Sequence, residues 1–224
     1  LGSEGSYSSV IKLAEGTEDG EKQINVVVYD RAGNVSLEVS SNKILLDRVL
    51  DKPTLLIQDS EGNNLPEFIN YSTITVKLTS QETNIVEYQV WEGTADAYPS
   101  EWMKQDTGSL NYVNNTFVLS SGDGVKNIYA RIKDTAGNIK EADPRSVTVD
   151  TVLPTASLEI DRTIISKVEN FDKANITIAY SDDRSGIAKY SLVRIDSAEA
   201  ETVVVSGTSD KIDTHEVVVG ALAD

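Results

Sequence analysis

The residues best suited to bind a ligand are acidic, and several of them lie near two Pro-containing linkers. Asp and Glu number 36 against 20 Lys and Arg, so the net charge is −16. No motif requires a cofactor, and calcium, which binds about six to eight oxygen atoms, is the ion that these residues would suit at the linkers. Their spacing matches no calcium-loop signature, and the alternative is that the charge only keeps the protein soluble. The candidate calcium ligands are Asp47, Asp51, Asp59, Glu61 and Asp150.

A second candidate site is a group of aromatic residues near the middle of the chain. Exposed aromatic rings stack on sugar rings, while neighbouring carboxylates and amides hold the sugar hydroxyl groups. This interpretation predicts glycan binding. The alternative is that one Trp packs in the sandwich core and the other covers a loop, as Trp residues usually do. The candidate glycan-stacking residues are Trp91, Tyr98, Trp102 and Tyr112.

The residue types argue against an enzyme and against several classes of partner. The chain has no Cys and one His, His215. Thiolate catalysis and zinc–thiolate sites are therefore excluded, and a His-based catalytic triad is not expected. An acidic surface repels nucleic-acid phosphates and anionic lipids, and no apolar run is long enough to span a bilayer. We expect neither nucleic-acid binding nor membrane insertion of this segment.

The elements that position these residues come from an internal repeat of about one domain length. Asp30-Arg31-Ala32-Gly33-Asn34 returns as Asp134-Thr135-Ala136-Gly137-Asn138, at a spacing of 134 − 30 = 104 residues. Such a period indicates tandem copies of one module. The linkers then predict the C-terminal part of one module in residues 1–50, a complete module in 51–152 and the N-terminal part of a third in 153–224.

The repeated motif itself predicts a tight turn. Asp at the first position and Gly at the fourth are the preferences of a type I turn, in which the carboxylate accepts hydrogen bonds from turn N–H groups. Gly takes a positive φ without steric cost, and Asn begins the next strand. Because the turn uses the carboxylate, we favour it over a cation or ligand site at the same Asp. The predicted turn residues are Asp30, Gly33, Asn34, Asp134, Gly137 and Asn138.

Alternation of apolar and polar residues predicts strands along most of the chain. Turn signals separate these strands, and only Ser100–Gln105 suggests a single helical turn. Many short strands at regular spacing are typical of an all-β sandwich. The alternation marks residues 24–29 and 128–133 as strands with one buried face. Other predicted strands are Ser72–Leu78, Ile85–Trp91, Thr116–Leu119, Val147–Val149, Asn175–Tyr180, Ala188–Ile195, Glu201–Val205 and Glu216–Val219.

Together these motifs resemble bacterial immunoglobulin-like repeats. The resemblance covers essentially the whole chain and implies tandem immunoglobulin-like β-sandwich domains in a linear array. Such repeats occur in surface proteins, adhesins, secreted multidomain enzymes and phage structural proteins, and they share no general catalytic residues. The residues that carry it are Tyr88-Gln89-Val90-Trp91, Trp102, Gly124-x-Lys126-x-Ile128-Tyr129, Asp134-Thr135-Ala136-Gly137-Asn138 and Val149-Asp150-Thr151-x-x-Pro154.

The resemblance implies a non-catalytic extracellular module, a spacer or stalk in a bacterial cell-surface protein or adhesin. One alternative is an immunoglobulin-like component of a phage virion, in a tail, fibre or capsid decoration. Another is a carbohydrate-binding accessory region of a secreted glycan-active enzyme, with the aromatic residues as its support. The expected partners are neighbouring modules of the same chain and a cell-surface glycan or protein.

The two outer segments predict complementary halves of one module. Residues 1–50 supply its last strands, and residues 153–224 supply its early strands. One expectation is that the tail of one copy completes the head of the next by strand addition and forms a fibre. The expectation that we favour is that the sequence is a slice of a longer array.

Overall fold

The computed structural model describes residues 5–106, 108–164, 173–195, 199, 201–207 and 213–218. Within these residues the chain forms 18 strands and no helix, which confirms the predicted all-β class. The strands form several sheets in an arrangement consistent with a β-sandwich. The helical turn predicted for Ser100–Gln105 is wrong, because a short strand, Met103–Lys104, lies there. No helix in these ranges is available to cross a membrane.

The first region is a single antiparallel hairpin over residues 20–46. Its inner pairings end in one bridge between Tyr29 and Val35, next to the tip. Its strands are β1 (Gly20–Lys22), β2 (Asn25–Val26), β3 (Val39–Ser40) and β4 (Ile44–Leu46). β1 pairs with β4, and β2 pairs with β3.

The middle region contains nine strands in two sheets. They are β5 (Thr54–Gln58), β6 (Phe68–Ile69), β7 (Thr73–Thr79), β8 (Ile85–Glu92), β9 (Met103–Lys104), β10 (Asn111–Val118), β11 (Gly124–Asp134), β12 (Ile139–Glu141) and β13 (Arg145–Val149). One sheet has the order β10-β7-β5, and the other has the order β6-β13-β11-β8-β9, with β12 also paired to β11. All pairings are antiparallel except that of β6 with β13.

The core lies between these two sheets and follows from the alternation along each strand. In β11, Ile128, Ala130 and Ile132 are buried, while the residues between them point to the outer face and are half-buried. Burying one such aliphatic side chain stabilises the fold by about 1.5–3 kcal/mol. Leu50, which the sequence assigns to the end of the first region, also packs into this core.

The third region repeats part of the middle one. Its strands are β14 (Thr155–Ile160), β15 (Lys173–Ser181), β16 (Tyr190–Ile195), β17 (Glu201–Gly207) and β18 (Asp213–Val218). The orders β14-β15-β18 and β16-β17 match β5-β7-β10 and β8-β9 of the middle region.

The strand predictions are largely confirmed. Ser72–Leu78 differs from β7 by one residue at each end, and Ile85–Trp91 stops one residue before the end of β8. Thr116–Leu119 covers only the end of β10, whose earlier residues alternate less clearly between apolar and polar types. The predicted strand Glu216–Val219 falls in β18 as far as Val218, and Val219 lies outside the described residues. The first three residues of β18 were not predicted.

Candidate functional site: the linkers between the strand regions

The first linker is held against one end of the middle sandwich by Asp47. Its Oδ2 accepts a hydrogen bond from Asn84 Nδ2 at 2.9 Å, and its carbonyl oxygen accepts one from Asn138 Nδ2 at 3.1 Å. Asn84 lies in the loop between β7 and β8, and Asn138 closes the turn after β11. One half-buried residue therefore ties the linker to two loops of the next sandwich.

A second carboxylate binds the same linker from the side of the first hairpin. Asp19, just before β1, accepts the Arg48 backbone N–H at 2.9 Å and the Arg48 Nε–H at 2.7 Å. The Arg48 side chain also donates to the carbonyl oxygen of Thr17. The side-chain hydrogen bond from Arg48 holds the pKa of Asp19 below its usual value.

The second linker has the same two contacts. Asp150 is buried, and its Oδ2 accepts the Ser185 backbone N–H at 2.8 Å. Asp123, just before β11, accepts the Thr151 backbone N–H at 2.9 Å and the Thr151 hydroxyl at 2.8 Å. The backbone hydrogen bond from Thr151, and next its hydroxyl, lower the pKa of Asp123.

The contacts at the two linkers are related by the period of the repeat. The spacings are 123 − 19 = 104 and 151 − 48 = 103 for one contact, and 150 − 47 = 103 and 185 − 84 = 101 for the other. Each linker is therefore bonded both to the region before it and to the region after it. We call these paired contacts the junction clasps: Asp19–Arg48 with Asp47–Asn84, and Asp123–Thr151 with Asp150–Ser185.

The Asp134 turn takes part in the first junction clasp through Asn138. Asp134 is 1% exposed. Its Oδ1 accepts the Asn138 backbone N–H, and its Oδ2 accepts Asn138 Nδ2, both at 2.8 Å. Gly137 has a φ of 89°, which only Gly adopts without strain. Since Asn138 Nδ2 also donates to Asp47, the turn connects directly to the linker.

The same turn occurs at the tip of the first hairpin, where it is exposed to solvent. Asp30 accepts the Asn34 backbone N–H at 2.8 Å and Asn34 Nδ2 at 2.6 Å, and Gly33 has a φ of 91°. The side-chain hydrogen bond from Asn34 lowers the pKa of Asp30. The structure thus places all six predicted turn residues in turns of one geometry.

The sequence predicts a turn at Glu61-Gly62-Asn63-Asn64, but sequence reasoning missed that Asp59-Ser60-Glu61-Gly62-Asn63 is a third copy of the Asp134 turn. Asp59 accepts the Asn63 backbone N–H at 2.8 Å and Asn63 Nδ2 at 3.0 Å. Gly62 has a φ of 89°. The signal was present as Asp, Gly and Asn at the first, fourth and fifth positions, but the spacing does not follow the domain-length repeat. Two predicted calcium ligands, Asp59 and Glu61, belong to this turn.

The structure brings one of the five predicted calcium ligands into a group of carboxylates. In the described part of the chain, one set of three acidic side chains has carboxylate oxygens within 4.8 Å of one another. It consists of the buried Asp150, the half-buried Asp182 and the exposed Asp183. The other predicted ligands lie elsewhere: Asp47 in the first junction clasp, Asp59 and Glu61 in their turn, and Asp51 with its backbone N–H 3.2 Å from Glu82 Oε1.

The four candidate glycan-stacking residues do not form one surface. Tyr112 contacts Tyr88 at a ring distance of 4.9 Å, and both pack against the core between the sheets. Trp91 lies on the other face of its sheet, is 6% exposed and stacks on Tyr129 at 5.6 Å. Its Nε1 donates to the carbonyl oxygen of Thr94 at 2.9 Å. Trp91 is therefore buried, but on the outer face of its sheet and outside the sandwich core in which the alternative interpretation placed one Trp.

The remaining two aromatic residues surround Arg131 on the outer face. The guanidinium carbon lies 3.7 Å from the ring centre of Tyr98 and 4.6 Å from that of Trp102. Arg131 Nε donates to Gln89 Oε1 at 2.6 Å, and the Tyr98 hydroxyl donates to Glu141 Oε1 at 2.8 Å. That hydrogen bond to Glu141 raises the pKa of Tyr98. Tyr98 is 43% exposed, so part of its ring surface stays accessible.

Comparison with protein-family models finds no family that matches this chain, and comparison with curated proteins finds no similar sequence.

Proposed function

We propose that this chain is a non-catalytic spacer: a linear array of immunoglobulin-like β-sandwich domains in an extracellular bacterial surface protein. Its role is to extend a binding region away from the cell and to fix its direction. The proposal rests chiefly on the two junction clasps. A clasp at each linker restricts bending between neighbouring domains, which is the property that a spacer needs.

The strand order supports the immunoglobulin-like assignment. In immunoglobulin domains the first, second and fifth strands form one sheet together with the fourth, which has no counterpart in the three-stranded sheet here, and the third, sixth and seventh form the other. In the middle region, β5-β7-β10 and β8-β11-β13 correspond to these two sets. The third region has the corresponding β14-β15-β18 and β16-β17, which supports a tandem arrangement.

The contacts of Asp150 indicate how firmly a linker is held. A hydrogen bond to a charged group contributes about 1.5–3 kcal/mol when it is shielded from water. Asp150 is 7% exposed and accepts N–H groups from Val152 and Ser185, one in the linker and one in the next region. Bending at this linker would break the bond to Ser185 and leave a buried carboxylate without it.

Small-angle X-ray scattering tests the spacer function. We expect the wild type to give a narrow distribution of long interatomic distances, and Asp47→Ala with Asp150→Ala to broaden it toward shorter distances. Asp96→Ala is the matched control, because Asp96 is exposed and its side chain accepts a hydrogen bond from Thr94 in the same loop. Equal distributions for the wild type and the double variant would contradict a clasp-stiffened spacer.

Calcium binding at the junctions stays a prediction of the sequence. Of the two junctions, the donor chemistry of the second suits calcium better. Asp150, Asp182 and Asp183 offer three carboxylates from both sides of the linker, a set that suits a hard cation. At the first junction, Asp47 accepts a hydrogen bond from Asn84, whose Oδ1 is buried without a hydrogen-bond partner. We expect millimolar calcium to raise the melting temperature, and Asp183→Asn to abolish that rise. Identical melts in calcium and in chelator would end this hypothesis.

A second candidate function, glycan binding, has one observation in its favour. The outer face of the middle region carries the partly exposed Tyr98 beside Arg131 and Glu141, which combines an aromatic ring with polar groups. A glycan array tests it. Binding that Tyr98→Ala removes and Tyr112→Phe retains would favour this function, and an empty array would exclude it.

A further inference from the structure

A buried glutamine sets the position of the Arg131 guanidinium on the outer face of the middle region. Gln89 is 1% exposed, and its Nε2 donates to the carbonyl oxygens of Pro99 and Glu101, both at 2.8 Å. Its Oε1 accepts the Arg131 Nε–H at 2.6 Å. Only one orientation of the amide satisfies these three hydrogen bonds, so the acceptor that holds Arg131 has a fixed place.

Two aromatic rings hold the same guanidinium. Its Cζ lies 3.7 Å from the ring centre of Tyr98 and 4.6 Å from that of Trp102, which are favourable cation–π distances. Tyr98 is held in turn, because its hydroxyl donates to Glu141 Oε1 at 2.8 Å. Glu141 is paired directly with Arg131 between β11 and β12. The cation is therefore organised before any ligand arrives, which lowers the entropic cost of binding.

Arg131 lacks the anionic partner that the neighbouring cation has. Lys133, on the same face, pairs with Glu87 at 3.0 Å. Arg131 forms no ion pair with any described residue, and its hydrogen bond to Gln89 uses only Nε. In the described ranges, the buried side-chain polar atoms without a partner belong to Gln58 and Asn84. The two Nη atoms of Arg131 are therefore unbonded yet reachable from solvent.

The sequence repeat does not preserve this arrangement. One period earlier, 131 − 104 = 27 and 141 − 104 = 37 give Val27 and Leu37 at the positions of Arg131 and Glu141. Apolar residues thus stand where the middle region has a cation and its opposite carboxylate. An arrangement that the repeated strands needed for folding would recur with them, so a ligand explains it better than folding does.

We propose that Arg131 with Tyr98 and Trp102, here called the Arg131 site, binds a sugar that carries a carboxylate, such as a uronic acid. The two Nη atoms offer a planar pair of N–H groups that matches the two oxygens of a carboxylate. The sugar ring stacks on the accessible part of Tyr98, which is 43% exposed. The inference rests on the second candidate function, glycan binding, and is independent of the spacer role.

The surrounding charges favour a ligand with one isolated carboxylate. Glu141 and Glu87 lie on the same face as Arg131, and the net charge of the chain is −16. A polyanion would be repelled by this surface, whereas a single carboxylate at Arg131 gains its attraction at short range, where salt screens it least. The expected ligand is therefore a saccharide with one acidic residue at the contact, not a densely sulfated or phosphorylated polymer.

An NMR titration of the wild type with two ligands of equal shape tests the role of the carboxylate. Glucuronic acid and glucuronamide have the same ring, but only the acid is charged at neutral pH. The signals to follow are the Arg131 Nε–H and the indole N–H groups of the two Trp residues. We expect the acid to bind about tenfold more tightly, as one charge-assisted hydrogen bond would give. Equal affinities would overturn the inference and leave glycan binding standing, whereas no binding of either ligand would overturn both.

Acetate separates a sugar site from a general carboxylate site. It carries the charge of glucuronate without the ring, so the stacking contact with Tyr98 is absent. We expect acetate to bind several-fold more weakly than glucuronate in the same titration. Equal binding would show that the acidic side chain of a peptide is as good a ligand, which overturns a saccharide as the occupant of the Arg131 site.

Three variants assign the two contacts to residues. Arg131→Gln removes the charge, so the preference for glucuronate over glucuronamide should disappear. Arg145→Gln is the matched control, because Arg145 lies in β13 of the same sheet and its Nε donates to the carbonyl oxygen of Leu55. Tyr98→Ala should weaken both sugars and leave acetate bound. A preference for glucuronate that survives Arg131→Gln would overturn the assignment of the site, and the comparison of ligands on the wild type depends on no variant.

Discussion

The hairpin of residues 20–46 and the β11–β13 hairpin have the same tip in different surroundings. Asp30 and Asp134 each accept the backbone N–H of the Asn four residues later at 2.8 Å. Asp30 is nevertheless exposed and Asp134 is 1% exposed. Five residues are therefore enough to build the turn, whereas burial depends on the opposite sheet that the middle region supplies. The stability cost of one substitution should differ accordingly between the two hairpins.

The largest difference is expected for a charge placed on the apolar stripe. Ile132→Asp puts a carboxylate at a position that is 0% exposed, and we expect the middle sandwich to lose about 4 kcal/mol or more. Val28→Asp should leave the melt of a dilute sample unchanged, because Val28 is already in water. Chemical denaturation followed by Trp fluorescence measures both. Equal losses would mean that the first hairpin is buried in solution.

The turn carboxylate should give the next largest difference. Asp134→Ala leaves the N–H groups of Asn138 without their acceptor in a buried site, which costs about 2–3 kcal/mol. Asp30→Ala removes the same bonds where water replaces them, so no change in the sandwich melt is expected. Thermal denaturation of the two variants checks this. A melt unchanged by Asp134→Ala would show that the linker does not depend on the turn.

The turn glycine should show a smaller effect. Gly137→Val forces a β-branched residue to a φ of 89°, at a cost of about 1–3 kcal/mol from backbone strain. Apart from residues 136–138, no atom lies within 4 Å of the added Cβ, so backbone strain is the main expected source of the loss. Gly137→Asn is the control, since Asn tolerates this conformation better. A melt unchanged by Gly137→Val would refute the assignment of the turn.

The smallest effect is a titration at the exposed tip. The hydrogen bond from the Asn34 side chain lowers the pKa of Asp30 below 3.8, so its carboxylate form is favoured in the folded hairpin. The contribution of this bond is present above pH 3.8 and is lost as pH falls through the lower, folded-state pKa. A titration followed by NMR should show this, and Asn34→Ala should return the pKa toward 3.8. A pKa unaffected by Asn34→Ala would exclude the side-chain bond in solution.

The sequence predicts local features well and long-range ones poorly. The turn at Asp134 and the strands β7 and β8 follow from spacing within a few residues. The separation of Tyr112 from Trp91 does not, because it depends on which face of each strand meets the other sheet. The partners of Asp47 and Asp150 lie about 35 residues away or more along the chain, and only the folded sheets bring them together.

The parallel pairing of β6 with β13 leads us to expect a specific response of the middle region to a pulling force. Phe68 pairs with Thr148, and the Asp150 N–H donates to the carbonyl oxygen of Ile69 at 2.9 Å. Tension applied through the two linkers draws these neighbouring strands past each other lengthwise. Their hydrogen bonds must then break together rather than one at a time. We therefore expect the β6–β13 pair to resist stretching more strongly than a hairpin whose hydrogen bonds break one after another.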